Sequence, residues 1–171
     1  LRVFGDDVLP GLTAMADAVH AHGGAVFAQL LQAGREIFMT SDGTLPVAYS
    51  SSASTGERFR VLPREMSQSM IHQVIQSYAA GAVMALNAGM DGVEIVGNHG
   101  KLPAQFLAAA VNCRTDDYGG SLENRCRFVI EVCRAVRAEI GNRIAFGLRL
   151  SVDEIDMGVT SEESMALCRK L

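Results

Sequence analysis

The chain has 171 residues, 49% of them hydrophobic, and its 15 basic and 19 acidic residues give a formal net charge of −4. That length can bury one ordinary core, and an acidic excess spread without a basic stripe excludes the electrostatic footprint of a nucleic-acid-binding protein. No apolar run approaches a membrane span, and no charged n-region with a following apolar segment opens the chain, so a soluble cytoplasmic protein is expected.

The four cysteines, Cys113, Cys126, Cys133 and Cys168, contain no C-x-x-C pair, so no metal or iron–sulfur site is expected. Cys126 and Cys133 fall on one face of a predicted helix and read as small buried hydrophobes. The chain opens on Leu1 without an initiator Met and stops at Leu171 inside a helical pattern, which reads as a segment of a longer protein.

In chain order, Val8, Leu12, Met15, Ala16 and Val19 form a stripe that predicts an amphipathic helix over residues 7–22, with Asp7 as N-cap and Gly23 as stop. Residues 24–31, GAVFAQLL, predict a buried strand with one polar residue, Gln29, near its C-terminal end. An unpaired buried amide costs on the order of 1–3 kcal/mol, so Gln29 is expected to bond either backbone or a bound ligand. Residues 36–66 carry Gly, Pro, Ser and Asp throughout and predict an irregular stretch, open to short hairpins and able to cap a ligand site.

Ser67 is the predicted N-cap of a helix of about twenty residues whose face carries Met70, Val74, Ile75, Tyr78, Ala82 and Leu86. His20, His22 and His72 read as surface histidines. Gly92-Val93-Glu94-Ile95-Val96-Gly97 predicts a mostly buried parallel strand. Asn98, His99 and Lys101 follow at once, past a strand's C-terminal end, where parallel α/β folds bind ligands. A polar surface loop with a satisfied histidine is the equal alternative.

Residues 103–111 predict a short helix, and Ser121 caps a longer one running to about Ile140. Residues 144–150, IAFGLRL, predict a third buried strand with Arg149 at its C-terminal end. A guanidinium cannot shed its charge, so Arg149 must meet a neighbouring loop carboxylate or a bound ligand. Thr160 and Glu163 have capping-box spacing and open the last helix. Regular alternation of helix and strand predicts a parallel sheet with right-handed crossovers, leaving a doubly wound sheet and a (β/α)8 barrel open.

The run Asp91 to Ile95, then His99-Gly100, Leu102 and Gln105-Phe106-Leu107, then Asn112, Arg114-Thr115-Asp116 and Tyr118 to Arg125, resembles the old yellow enzyme family of NADH:flavin oxidoreductases. Gln29-Leu30 with Gly34-Arg35, and Gly147, Arg149 and Ser151, match further strand-end signatures of that family. The resemblance implies an α/β fold, the (β/α)8 TIM barrel, here as an incomplete segment. Residues 1–171 would be the central part of one FMN-binding domain, about the third to fifth βα units of a barrel of roughly 250 residues.

The same resemblance implies FMN as cofactor, NADH or NADPH as electron donor and a small-molecule substrate, with a homo-oligomer left open. Gln29 would bond the flavin's pyrimidine edge, and Arg149 would stabilise charge at its N1/C2-carbonyl edge. Alkene reductases of the family hold the substrate carbonyl between two donors three residues apart, with a Tyr two residues beyond as proton donor. Those positions are Val96, His99 and Lys101. Val96 cannot donate, so the clamp keeps His99 alone, and Lys101 stands where the proton donor would. The expected function is therefore either reduction of an electron-poor alkene through an altered clamp, or oxidation or demethylation of a secondary or tertiary amine. Two other classes remain: a flavin-free barrel with a structural or interaction role, and a barrel lyase or isomerase using Lys101 or His99 as base.

Overall fold

Three parallel strands, β1 (Phe27–Leu30), β4 (Gly92–Val96) and β5 (Ala145–Arg149), form a sheet in the order β1-β4-β5. The computed structural model describes residues 7–37, 43–44, 46–56, 58, 60–154 and 157–171. The other elements are α1 (Leu9–His20), β2 (Tyr49–Ser50), β3 (Arg64–Glu65), α2 (Gln68–Asn87), α3 (Leu102–Leu107), α4 (Leu122–Ile140) and α5 (Ser161–Cys168), with a 3-10 turn at Gly34–Glu36. Parallel strands joined through helices are the repeating unit of a (β/α)8 barrel, and this chain carries an open part of one. No helix among the described residues is long and apolar enough to cross a membrane.

Three of the helix starts follow from short-range chemistry. Ser67 accepts from the Met70 N–H and Ser121 from the Asn124 N–H, each at 3.3 Å, and Thr160 with Glu163 closes the predicted capping box. The first helix departs from expectation: Val8, not Asp7, occupies its N-cap, and no side chain caps it. Pro10 in the first turn lacks one of the N–H groups a cap would satisfy and presets a helical φ, so a side-chain acceptor has less to do there.

The core lies between the sheet and helices α2 and α4. Val93 and Ile95 of β4 are fully buried against Ile71, Ile75 and Ala82 of α2 and Phe128, Val132 and Val136 of α4. Phe106 of α3 stacks on Phe128 with ring centroids 4.3 Å apart. Cys126 and Cys133 are buried in α4 as expected, and burial pushes the Cys133 thiol up to about 11.

Burial of the outer strands does not follow the sequence reading. Phe27 and Gln29 of β1 are exposed, as are Ala145 and Arg149 of β5. Helices cover one face of the sheet, and strand residues alternate between faces, so every second side chain of β1 and β5 faces away from the core. No hairpin forms among the described residues of 36–66; β2 and β3 pair in parallel instead. A connection as long as 51–63 returns the chain to the same end of its partner, which a hairpin turn cannot do.

The signature stretch 112–125 is a structural lock. The Asn112 amide donates to the carbonyls of Phe106 and Tyr118, both at 2.7 Å, and its oxygen accepts from the Arg114 N–H. Buried Arg114 donates to the carbonyls of Ser51 and Met66 and forms a two-pronged pair with Asp116. A Cβ at Gly119 would fall 2.2 Å from the Arg114 carbonyl oxygen, so only glycine fits. Buried Arg125 bonds the Leu107 carbonyl and pairs with Glu163 of α5.

Asn112→Ala would strand two buried carbonyls, and a loss of about 1–3 kcal/mol is expected from denaturant midpoints. The Arg114 bond holds the Asp116 carboxyl down at about 2, against an ordinary 3.8. A depressed carboxylate contributes stability that is complete above its unfolded pKa and is lost as pH falls toward its folded one. Acid unfolding followed by circular dichroism should therefore lose a component near the bottom of the carboxylate range in Asp116→Asn.

Candidate active site

The face of the sheet turned away from the helices carries Phe27 and Gln29 from β1, Gly92, Glu94 and Val96 from β4, and Ala145, Gly147 and Arg149 from β5, by strand alternation. Parallel register sets Gln29 beside Glu94 and Arg149 beside Val96, at the C-terminal half of each strand. Gln29 Nε2 donates to Glu94 Oε1 at 2.6 Å, and Arg149 Nε donates to the same oxygen at 2.7 Å. Both sequence-predicted cofactor residues are thus joined, through a third side chain that the sequence reading did not single out.

Gln29 does not bond backbone: its amide is exposed and donates to a carboxylate side chain. Arg149 does meet a carboxylate, but on the neighbouring strand rather than in a loop. The guanidinium remains 50% exposed, and its hydrogen bond holds the Glu94 carboxyl below the usual carboxylate range. At Gly147, opposite Glu94, an added Cβ would meet nothing within 4 Å, so the floor between the strands is open there.

Val96 is buried at the end of β4, and the following Gly97 N–H donates to the Arg149 carbonyl at 2.8 Å. His99 is exposed and adopts φ +52°, a left-handed conformation rare for a residue with a Cβ. Its N–H donates to Glu154 Oε1 at 2.7 Å, and Glu154 accepts equally from the Ser151 hydroxyl, so the loops after β4 and β5 share one carboxylate. Lys101 is half-buried at the N-cap of α3. Among the described residues no hydrogen bond joins the side chain of His99 or Lys101 to Gln29, Glu94 or Arg149. His72 lies outside this region, its ring 3.2 Å from the Tyr118 hydroxyl on the helix side of the sheet.

Gln105 holds the rim together. Fully buried, it accepts from the Arg35 N–H and the Ser50 hydroxyl and donates to the carbonyls of Ala33 and Gly100. It ties the loop after β1 to the loop that carries His99. Asp91 does similar work below the site, accepting from the Val26 N–H at 2.7 Å and meeting the His20 ring at 2.9 Å.

Chemically, a carboxamide and a permanently charged guanidinium, bridged by the Glu94 carboxylate on an open face whose other side chains are apolar, fit a planar ligand with carbonyl oxygens and an amide-like edge. No group of three or more His, Cys, Asp or Glu among the described residues is placed to hold a metal ion.

The profile of the NADH:flavin oxidoreductase / NADH oxidase family matches residues 1–168. The chain belongs to this family. The 12-oxophytodienoate reductase 7 of Oryza sativa subsp. japonica is 40% identical over 156 residues, covering 83% of this chain and 39% of the relative. A probable flavin mononucleotide-dependent alkene reductase of Leishmania infantum is 37% identical over 181 residues, covering 98% of this chain and 49% of the relative. The structure of an old yellow enzyme homologue from Zymomonas mobilis superposes with a TM-score of 0.84 at 30% identity, covering 98% of this chain and 49% of that one. The chain therefore spans half or less of these relatives. In this member of the NADH:flavin oxidoreductase family, the signature stretch 112–125 is bonded mainly into the fold.

Glu94 and Gln105, part of the signature run, and Glu154 outside it have positions in the site that the sequence alone does not assign. A carboxylate between Val93 and Ile95 was the available signal for Glu94, since a charge on an apolar strand requires a partner. Gly34 tests the Gln105 hub: at φ +60° its added Cβ would sit 2.1 Å from the Gln105 amide oxygen. Gly34→Ala should lower the thermal midpoint, with a cost of order 1–3 kcal/mol from backbone strain plus displacement of a buried amide.

Proposed function

We propose that this chain is the central part of one FMN-binding barrel domain and that the whole protein is an FMN-dependent oxidoreductase. It would reduce an electron-poor alkene with electrons from NADH or NADPH. The observation that carries this reading is the convergence of Gln29 and Arg149 on one oxygen of Glu94, on the open face of the strands. The carboxamide of Gln29 matches the donors and acceptors of the flavin's pyrimidine edge, and Arg149 offers fixed positive charge where the reduced ring gathers negative charge. When bound, FMN supplies the hydride chemistry between nicotinamide and substrate.

On the substrate side, His99 is the one remaining member of the donor pair. It is exposed beyond the strand end and held there through its own backbone bond to Glu154. Lys101, two residues on, is the candidate proton donor. The names of the two curated relatives support reduction. Val96 favours a second reading, amine oxidation or demethylation, because an amine substrate has no carbonyl oxygen that a second donor must hold.

Purified protein is expected to carry FMN in stoichiometric amount, read from its visible spectrum and from the chromophore released on denaturation. A folded, FMN-supplemented preparation that stays colourless overturns the oxidoreductase reading and favours a flavin-free barrel. Val96→His would restore the missing donor, and a rise of about 10²–10³ in kcat/KM for enone reduction is expected. A parent enzyme that oxidises secondary amines, together with a variant that gains nothing on enones, would decide for the second reading.

A further inference from the structure

Glu94 is the only residue of β4 that puts a charge on the open face, and two strands turn toward it. Gln29 reaches it from β1 at 2.6 Å and Arg149 from β5 at 2.7 Å, on a single carboxylate oxygen. Its neighbours Val93 and Ile95 point the other way and are fully buried against the helices, so Glu94 takes no part in filling the core. A carboxylate placed on an apolar strand loses part of its hydration and needs compensation. Here the two groups that compensate it are the same two that suit the flavin's edge.

We propose that Glu94 is a positioning residue for the cofactor: it fixes Gln29 and Arg149 in one mutual orientation and offsets part of the guanidinium's charge toward the flavin. The inference rests on the functional reading above and assigns Glu94 a part in it. Three features support the pairing as a device rather than a chance contact. Both bonds are short and charge-assisted, which makes them stronger than neutral ones. Parallel register supplies Gln29 directly opposite Glu94 and Arg149 two residues further along, opposite Val96 on the same face. Arg149 engages Glu94 through Nε while its guanidinium stays half exposed.

Charge next to the flavin ring is one of the means by which a protein sets the ring's electronics. An arginine alone would favour the anionic reduced form strongly; an arginine offset by a carboxylate favours it less. Glu94 would therefore hold the reduction potential down while keeping the donors aligned.

The test uses the FMN-loaded protein and two readouts, the flavin midpoint potential and the dissociation constant of oxidised FMN. Glu94→Gln keeps the shape and an acceptor oxygen but removes the charge. It should bind reduced FMN at least tenfold more favourably relative to oxidised, an upward shift of about 30 mV for a two-electron couple. Glu94→Asp keeps the charge and should return the potential to that of the parent. Glu94→Ala releases both partners and should weaken oxidised FMN at least tenfold.

A folded, FMN-loaded Glu94→Gln with the parent's potential overturns the proposal, as does a Glu94→Asp that shifts just as the Gln variant does. Should Glu94→Gln fail to fold, a Glu94→Ala that binds FMN as the parent does overturns it independently. A parent that binds no FMN is recognised by its missing colour and removes the functional reading together with this inference. A coloured parent with an insensitive Glu94 removes the inference alone.

Discussion

The carboxamide of Gln105 is the constraint on which the site's geometry depends. An amide side chain has two donors and two acceptor positions, and this one, wholly buried, uses all four. Its partners come from the loop after β1, from β2 and from the loop after β4, segments far apart in sequence. Leaving any one partner out would strand a buried polar group, so the three segments hold position together or not at all. Gly34 comes so close that a single added carbon would enter the amide. This is how an irregular rim keeps His99 in a fixed place relative to the strands beneath it.

Charge is handled in two distinct ways. Arg114 and Arg125 are buried and spend their donors on carbonyl oxygens, with Asp116 and Glu163 as counter-charges. Arg114 fastens the stretch 112–125 to the segments just after β2 and β3, and Arg125 fastens it to α3 and α5. Arg149 is the opposite case, half exposed and tied down by one nitrogen. The difference follows from location: the first two lie in the packed layer where every donor must be satisfied, and the third lies on the face that the helices do not cover. The signature stretch 112–125 is accordingly weighted toward residues that secure the fold, whereas Gln29 and Arg149 lie on strands outside it.

Helices were legible because their determinants are local. The caps at Ser67, Ser121 and Thr160 each act within a few residues of themselves, and the apolar stripes of α2 and α4 state which side is buried. Asp7 fails as a cap because Pro10 had already altered what the first turn needed. The strands were legible as strands, and β4, flanked on both edges, was buried as read. For β1 and β5 the sequence reading took apolar content as burial on both faces, whereas one face of each meets no helix.

The residues alone determined the α/β alternation, the parallel sheet, the family and the candidate positions Gln29, Val96, His99, Lys101 and Arg149, because periodicity, caps and a long fixed motif are properties of the chain read in line. The tertiary structure alone decided that Gln29 and Arg149 meet on Glu94, that Gln105 ties the rim, and that Glu154 joins the loops after β4 and β5. Each of these is a contact across strands or loops, set by register and by which face the helices leave open. Neither quantity is written in the local order of residues.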